Sequence, residues 1–163
     1  KKTFMPPLSS LCNLLIIDDN HADIRLMLEA IRIAGTRERI SIEYTYDAFN
    51  AFSMLEQAHQ LGNDFHIILL DLNMPKISGK DFLRVIKKDE RYKNITVFIL
   101  TNSDYSSDIE ECMELGADAF LQKPAVFKRL IDFFISLKES AGTCQDISVK
   151  GIYKRYSELN TSA

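Results

Sequence analysis

The sequence predicts an α/β fold, a doubly wound five-stranded parallel sheet of order 2-1-3-4-5 with helices on both faces. Three observations predict it. Short apolar runs alternate five times with segments of helical periodicity, the pattern of parallel strands joined by helical crossovers. Four of the five runs are apolar nearly throughout, as strands covered on both faces read, while the second mixes polar and apolar residues as an edge strand does. Right-handed crossovers then select the strand order.

The first strand is expected over 13–18. The helix after it carries Ile24, Met27, Leu28 and Ile31 at i, i+3, i+4 and i+7, and Gly35 stands where a left-handed C′ residue would end it. The second strand is expected over 41–46. Asp47 is a candidate N-cap for a helix with an apolar face of Phe49, Phe52 and Leu55. Gly62, Asn63 and Asp64 break the chain before strand three, 65–70. A loop over 73–78 contains Pro75. Gly79 then precedes helix three, with Phe82, Leu83 and Ile86 inward. Strand four is expected over 95–100 and helix four over 107–115, with Ile109, Cys112 and Met113 buried and Gly116 ending it. Strand five is 119–122 and helix five 126–138. Helix five carries Phe127, Leu130, Ile131, Phe133, Phe134, Ile135 and Leu137, more than one apolar stripe. Such a helix is buried on more than one side, either under the tail or in a dimer. The organisation expected is an extension over 1–12, one domain over 13–139 and a tail over 140–163, with a short helix near 152–156.

Composition narrows the function. Of 163 residues, 46% are hydrophobic, enough for a single core and against disorder. The net charge of −3 offers no bulk field for nucleic acid or anionic membrane. The longest apolar runs fall far short of the ~20 residues that cross a bilayer. Cys12, Cys112 and Cys144 are odd in number and far apart, with no CxxC pair. They indicate neither a disulfide framework nor zinc, and are read as thiols of a reducing cytoplasm. No GxGxxG or Walker loop follows strand one. His21, His59 and His66 have no metal-ligand spacing.

Four apolar runs end in chemistry-bearing residues: Asp18 and Asp19, Asp71, Thr101, and Lys123 followed by Pro124. In an open parallel sheet, ligands bind at the carboxyl ends of the strands. Three carboxylates meeting there repel one another, and a hard dication with oxygen ligands removes that repulsion. A carboxylate is also a nucleophile toward phosphorus, and Asp71, alone at the end of a central strand, is the best candidate. A dication, the Lys123 ammonium and the Thr101 hydroxyl would then take the three equatorial oxygens of a transferring phosphoryl group.

These residues, with the Asp71-Leu72-Asn73-Met74-Pro75 segment, Gly79, Leu100-Thr101, Gly116-Ala117 and Lys123-Pro124, resemble the receiver domain of two-component response regulators. The resemblance covers about 14–137. It implies a flavodoxin-like receiver fold in which Asp71 accepts a phosphoryl group from the phosphohistidine of a sensor histidine kinase. It implies Mg²⁺ held by Asp19, Asp71 and the Asn73 carbonyl, with Asp18 acting largely through water. It also implies that Thr101 and Lys123 engage the phosphoryl group, and that Phe120 is the aromatic switch that turns inward when Thr101 moves. Two positions depart from the commonest pattern: Asn102 stands where a small residue is usual, and Phe120 where tyrosine is frequent. The loops and the DLNMP segment are similar to single-domain receivers paired with phytochrome-type kinases.

The expectation is therefore a stand-alone phosphorylation switch, cytoplasmic, with no output domain after the tail. It would signal by protein contact through the helix 4–strand 5–helix 5 face, on which a homodimer is also expected. The runners-up are a relay passing the phosphoryl group to another histidine and an aspartyl-phosphate phosphohydrolase. The latter needs a second Asp where this chain has Asn73. A flavin-binding module is disfavoured by the acidic cluster, which would repel a flavin phosphate.

Overall fold

A computed structural model describes residues 11–102, 106–141 and 148–161. Strands β1 (Cys12–Ile17), β2 (Ile40–Thr45), β3 (Ile67–Leu70), β4 (Thr96–Thr101) and β5 (Ala119–Gln122) form one parallel sheet of order β2-β1-β3-β4-β5. The helices are α1 (His21–Ala34), α2 (Ala48–Gln60), α3 (Gly79–Lys88), α4 (Ser106–Glu114), α5 (Phe127–Ser140) and α6 (Val149–Thr161), with a 3-10 turn at Thr36–Glu38.

The pleat divides the core in two. Leu14 and Ile16 of β1 point into a layer with α1, α5 and Ile152 of α6. Leu15 and Ile17 point into the opposite layer with α2, α3 and Cys112 of α4. Register then aligns the strand ends. Ile17 pairs with Leu70 and Thr45, and Leu70 pairs with Ile99, so the residues following β1 and β3 emerge side by side.

Asp47 and Gly35 cap where the sequence places them, and Asn20 adds a cap that the sequence did not announce. Asn20 accepts from the backbone N–H groups of Ala22 and Asp23, and Asp47 accepts from that of Asn50. Gly35 closes α1 at φ 66°, the left-handed region that favours glycine. Gly79 answers a different need. A Cβ there would collide with the Asp71 carbonyl oxygen and lie 2.7 Å from the Leu72 Cα. Only a residue without a side chain lets α3 start this close to the end of β3.

Several expectations are corrected. Phe49 is 72% exposed; Ala48, Ala51 and Leu55 are the buried residues of α2. On α4 only Cys112 is buried, while Ile109 is 37% and Met113 46% exposed. Alternate phases of one helical wheel satisfy a short apolar pattern, and tertiary docking chooses between them. Lys80 helps to tether α4, reaching Asp108 at 2.5 Å and Glu111 at 2.6 Å. Cys12 is disulfide-bonded, through a partner outside the described residues, whereas Cys112 is a free buried thiol. Three widely separated cysteines with no paired spacing carry no signature of such a bond. Cys144 lies outside the described residues. Among the described residues no helix is long and apolar enough to cross a membrane.

The tail resolves the excess apolarity of α5. Helix α6, longer than the short helix expected, packs on α5 through Ile152, which is 1% exposed, with Val149, Tyr153 and Tyr156 around it. Tyr156 meets Phe133 edge to face at 6.1 Å, and Arg155 pairs with Glu139 at 2.8 Å. The Tyr153 hydroxyl donates to the Phe120 carbonyl at 3.1 Å. β5 is an edge strand, and an edge carbonyl taken by a helix side chain is one fewer group offered to another chain. Ile152→Ala is expected to lower unfolding free energy by about 3 kcal/mol in urea titration. A loss below about 1 kcal/mol would mean that α6 contributes little to the core.

Candidate functional site

The site is built by hydrogen bonds that fix the strand ends. The Asp71 N–H donates to the Ile17 carbonyl at 2.9 Å, and the Asp18 N–H to the Thr45 carbonyl at 3.2 Å. The Lys123 N–H donates to the Thr101 carbonyl at 2.7 Å. Each of the five strands is thereby tied to a neighbour at its end, and the terminal side chains share one end of the sheet.

Asp18, Asp19 and Asp71 come together as the sequence predicts. Each offers a carboxylate oxygen within 4.8 Å of the others. Asp18 and Asp71 are buried and Asp19 is partly exposed. At such separations each like-charge pair costs roughly 3 kcal/mol at an effective dielectric of ~20. Lys123 relieves part of this, its Nζ lying 2.6 Å from Asp18 Oδ2 and 3.5 Å from Asp71 Oδ1.

The two oxygens of Asp18 differ. Oδ1 accepts from the Asn20 N–H at 2.9 Å. Oδ2 is close to the Lys123 ammonium but outside hydrogen-bond geometry, and so is buried without a hydrogen bond. Buried polar oxygens rarely stay unsatisfied. Burial raises the Asp18 carboxyl above its ordinary pKa, with Lys123 opposing the rise and Asp71 adding to it. Burial acts to lower the Lys123 pKa, yet the facing carboxylates more than compensate and hold it above its ordinary value. Three carboxylates within 4.8 Å of one another, two of them buried and only partly offset by Lys123, fit a hard, oxygen-seeking divalent cation.

A cavity of about 440 Å³ opens over these groups, lined by Asp19, Asn20, Asp23, Asp71, Asn73, Asn102 and Lys123. Asn73 and Asn102 therefore stand at the mouth, in positions to meet whatever enters. Thr101 is different: it ends β4 fully buried and is not among the lining residues. Phe120 is partly buried against the α2–α3–α4 layer. Residues 103–105 of the loop between Thr101 and α4 lie outside the described residues.

Sequence reasoning missed Asp23. It sits in the first turn of α1, and its Oδ2 accepts from Lys123 Nζ at 2.8 Å. Its signal was available, since a residue in the first turn of a helix capped at Asn20 stays near the end of the strand before it. An acidic residue in a first helical turn also has an ordinary role against the helix dipole, and that role hid it. The histidines do not belong to the site. His21 stacks on Tyr46 at 3.8 Å, His59 pairs with Asp64, and His66 accepts from the Asn13 N–H.

Comparison with known proteins agrees with this geometry. The family model described as the response regulator receiver domain matches residues 14–134. Response regulator Rcp1 of Synechocystis is 32% identical over 119 residues, 72% of this chain and 80% of that one. The osmosensing histidine protein kinase SLN1 of Saccharomyces cerevisiae is 29% identical over 111 residues, 68% of this chain, which spans only 9% of that protein's length. Among solved structures, the phosphorylated cyanobacterial phytochrome response regulator RcpA superposes with a TM-score of 0.71 at 30% identity, covering 80% of this chain and 93% of that one. The Mn(2+)-bound form of Rcp1 superposes with a TM-score of 0.67 at 28% identity, covering 78% and 92%. With four strand ends bringing an acidic triad, a buried threonine and a lysine to one end of the sheet, the chain belongs to the response regulator receiver domain family, whose members are phosphoacceptors rather than turnover enzymes.

Proposed function

We propose that this protein is a phosphorylation switch in which Asp71 accepts a phosphoryl group from a sensor histidine kinase. The observation that carries the reading is the meeting of Asp18, Asp19 and Asp71 within 4.8 Å, with Lys123 reaching into them. The receiver unit is taken as 13–139, preceded by the extension 1–12 and followed by the segment 140–163.

The chemistry is an in-line displacement. An Asp71 carboxylate oxygen attacks phosphorus, the P–N bond to the donor imidazole breaks, and the imidazole leaves with the electron pair and takes up a proton. The residues suited to hold Mg²⁺ are Asp19, Asp71 and the Asn73 carbonyl, with Asp18 acting through water; bound there, the cation would neutralise charge on the phosphoryl oxygens. Lys123 serves a second oxygen. The Thr101 hydroxyl serves the third, which requires it to move from its buried place at the end of β4. The work is positioning and electrostatic preorganisation.

A phosphoryl group adds charge of about −1.5 to −2. In our reading it draws Thr101 toward it, and Phe120 fills the space left. Helix α4 is the element most free to respond, because it buries only Cys112 and is tethered largely by Lys80. Signalling then runs through protein contacts of the α4–β5–α5 face, where Ile109, Met113, Val126 and Phe127 are exposed. We assign a homodimer to the same face on its exposed Ile109, Met113, Val126 and Phe127, the apolar side of α5 being covered by α6. The similarity to the phytochrome response regulator RcpA supports a phytochrome-type kinase as the phosphodonor, and our reading assigns the protein to the cytoplasm.

Three measurements test this reading. Acetyl phosphate with Mg²⁺ is expected to add one phosphoryl group by mass spectrometry, and Asp71→Asn to abolish it; labelling that persists in the variant overturns the assignment. The second concerns the charge held at Asp18. Its carboxyl pKa is raised in the folded state, so the folded protein binds that proton more tightly than the unfolded chain. Ionised Asp18 therefore subtracts stability at neutral pH, and the subtraction fades as pH falls through the folded pKa toward the ordinary carboxylate value. Asp18→Asn is expected to raise the Tm of the metal-free protein by about 2–4 °C at neutral pH, with the difference shrinking in acid. Third, sedimentation with and without beryllofluoride is expected to show a dimer that Met113→Lys weakens. A monomer at high concentration in both conditions would overturn the dimer.

A further inference from the structure

Lys123 has one more anionic partner than the phosphoryl chemistry requires. Its ammonium approaches Asp18 Oδ2 at 2.6 Å, outside hydrogen-bond geometry, and Asp71 Oδ1 at 3.5 Å. It donates a hydrogen bond to Asp23 Oδ2 at 2.8 Å. Asp23 comes from the first turn of α1 and stands outside the triad of carboxylates that close on one another. The lysine side chain is only 11% exposed, whereas Asp23 is 25% exposed.

This asymmetry resolves a conflict inside the site. A divalent cation and the Lys123 ammonium want the same oxygens of Asp18 and Asp71. If those were the only anions in reach, seating a cation would strand a buried ammonium, which is strongly unfavourable. Asp23 offers Lys123 a carboxylate from outside the triad, one that the cation does not need. We propose that Asp23 is a positioning residue that holds the Lys123 ammonium while Asp18 and Asp71 turn their oxygens to a divalent cation. The lysine remains charged, partnered and within reach of a phosphoryl group on Asp71. This rests on the cation reading given above and adds to it the residue that makes cation and lysine compatible.

The test is a double-mutant cycle on metal affinity, read by isothermal titration of MgCl₂ into the full chain. Asp23→Asn is expected to weaken Mg²⁺ binding about fivefold, a size typical of coupled neighbours, and Asp23→Glu to retain affinity within about twofold. In the Lys123→Ala background, Asp23→Asn is expected to change affinity by less than about twofold, because no ammonium is left to hold. If Asp23 acted merely through its bare negative charge, the loss would be the same in both backgrounds. Equal losses, or no loss with Lys123 present, overturn the proposal while leaving the cation reading intact. Wild-type protein that binds no Mg²⁺ overturns both. Cooperative thermal unfolding of each variant confirms that it folds, and Asp23→Ser replaces Asp23→Asn should the latter fail to do so.

Discussion

Like-charge repulsion among Asp18, Asp19 and Asp71 is the constraint around which this molecule is arranged. Nothing about a parallel sheet requires three carboxylates within 4.8 Å of one another. They are held there because β1 and β3 are central strands whose register is fixed by burial on both faces. A one-residue slip would exchange the two core layers, so the aspartates cannot move apart without unmaking the core. The energy of the apolar sheet is in this sense stored at its end, as an unsatisfied demand for positive charge. Lys123 meets part of that demand from β5, across the full width between β1 and the sheet edge.

The position of Lys123 in turn depends on packing far from the charges. β5 is an edge strand of four residues with one neighbour in the sheet, and a short edge strand is a weak platform for a precisely placed ammonium. Helix α5 supports it on one face. Helix α6 adds a second layer, with Ile152 buried against α5 and Tyr153 hydrogen-bonded to the Phe120 carbonyl. The site is therefore rigid on the β1–β3 side and dependent on appended structure on the β5 side. The α4 element between them is secured by one buried cysteine and an ionic tether. That gradient from rigid acceptor to movable reader suits a switch, because charge added at a fixed point can be registered only by something able to move.

The cavity mouth shows where this chain departs from the usual receiver. Asn102 lines it together with Asn73, so an amide meets an incoming phosphodonor where a smaller side chain is common. Asp23 lines it from α1. Together they make the approach to Asp71 more polar and more acidic, while the floor stays closed by the core.

The sequence by itself determined the sheet and its order, the end of α1 at Gly35, the start of α2 at Asp47, and the carboxylates that meet at the strand ends. Those features are local or periodic. An apolar run bounded by a turn, a cap residue before a helix, and a charged residue at a strand end are written in adjacent positions. Tertiary structure decided what depends on distant partners. It chose Ala48 and Ala51 over Phe49 for the buried side of α2, and Cys112 over Ile109 and Met113 on α4, since a short helix has several apolar phases and only docking selects among them. It joined Cys12 in a disulfide, and it placed α6 over the apolar excess of α5. It also brought Asp23 to Lys123, a hundred residues away along the chain. An acidic residue in a first helical turn looks the same in sequence whether it faces solvent or an ammonium, and only the folded sheet brings that ammonium within hydrogen-bonding distance.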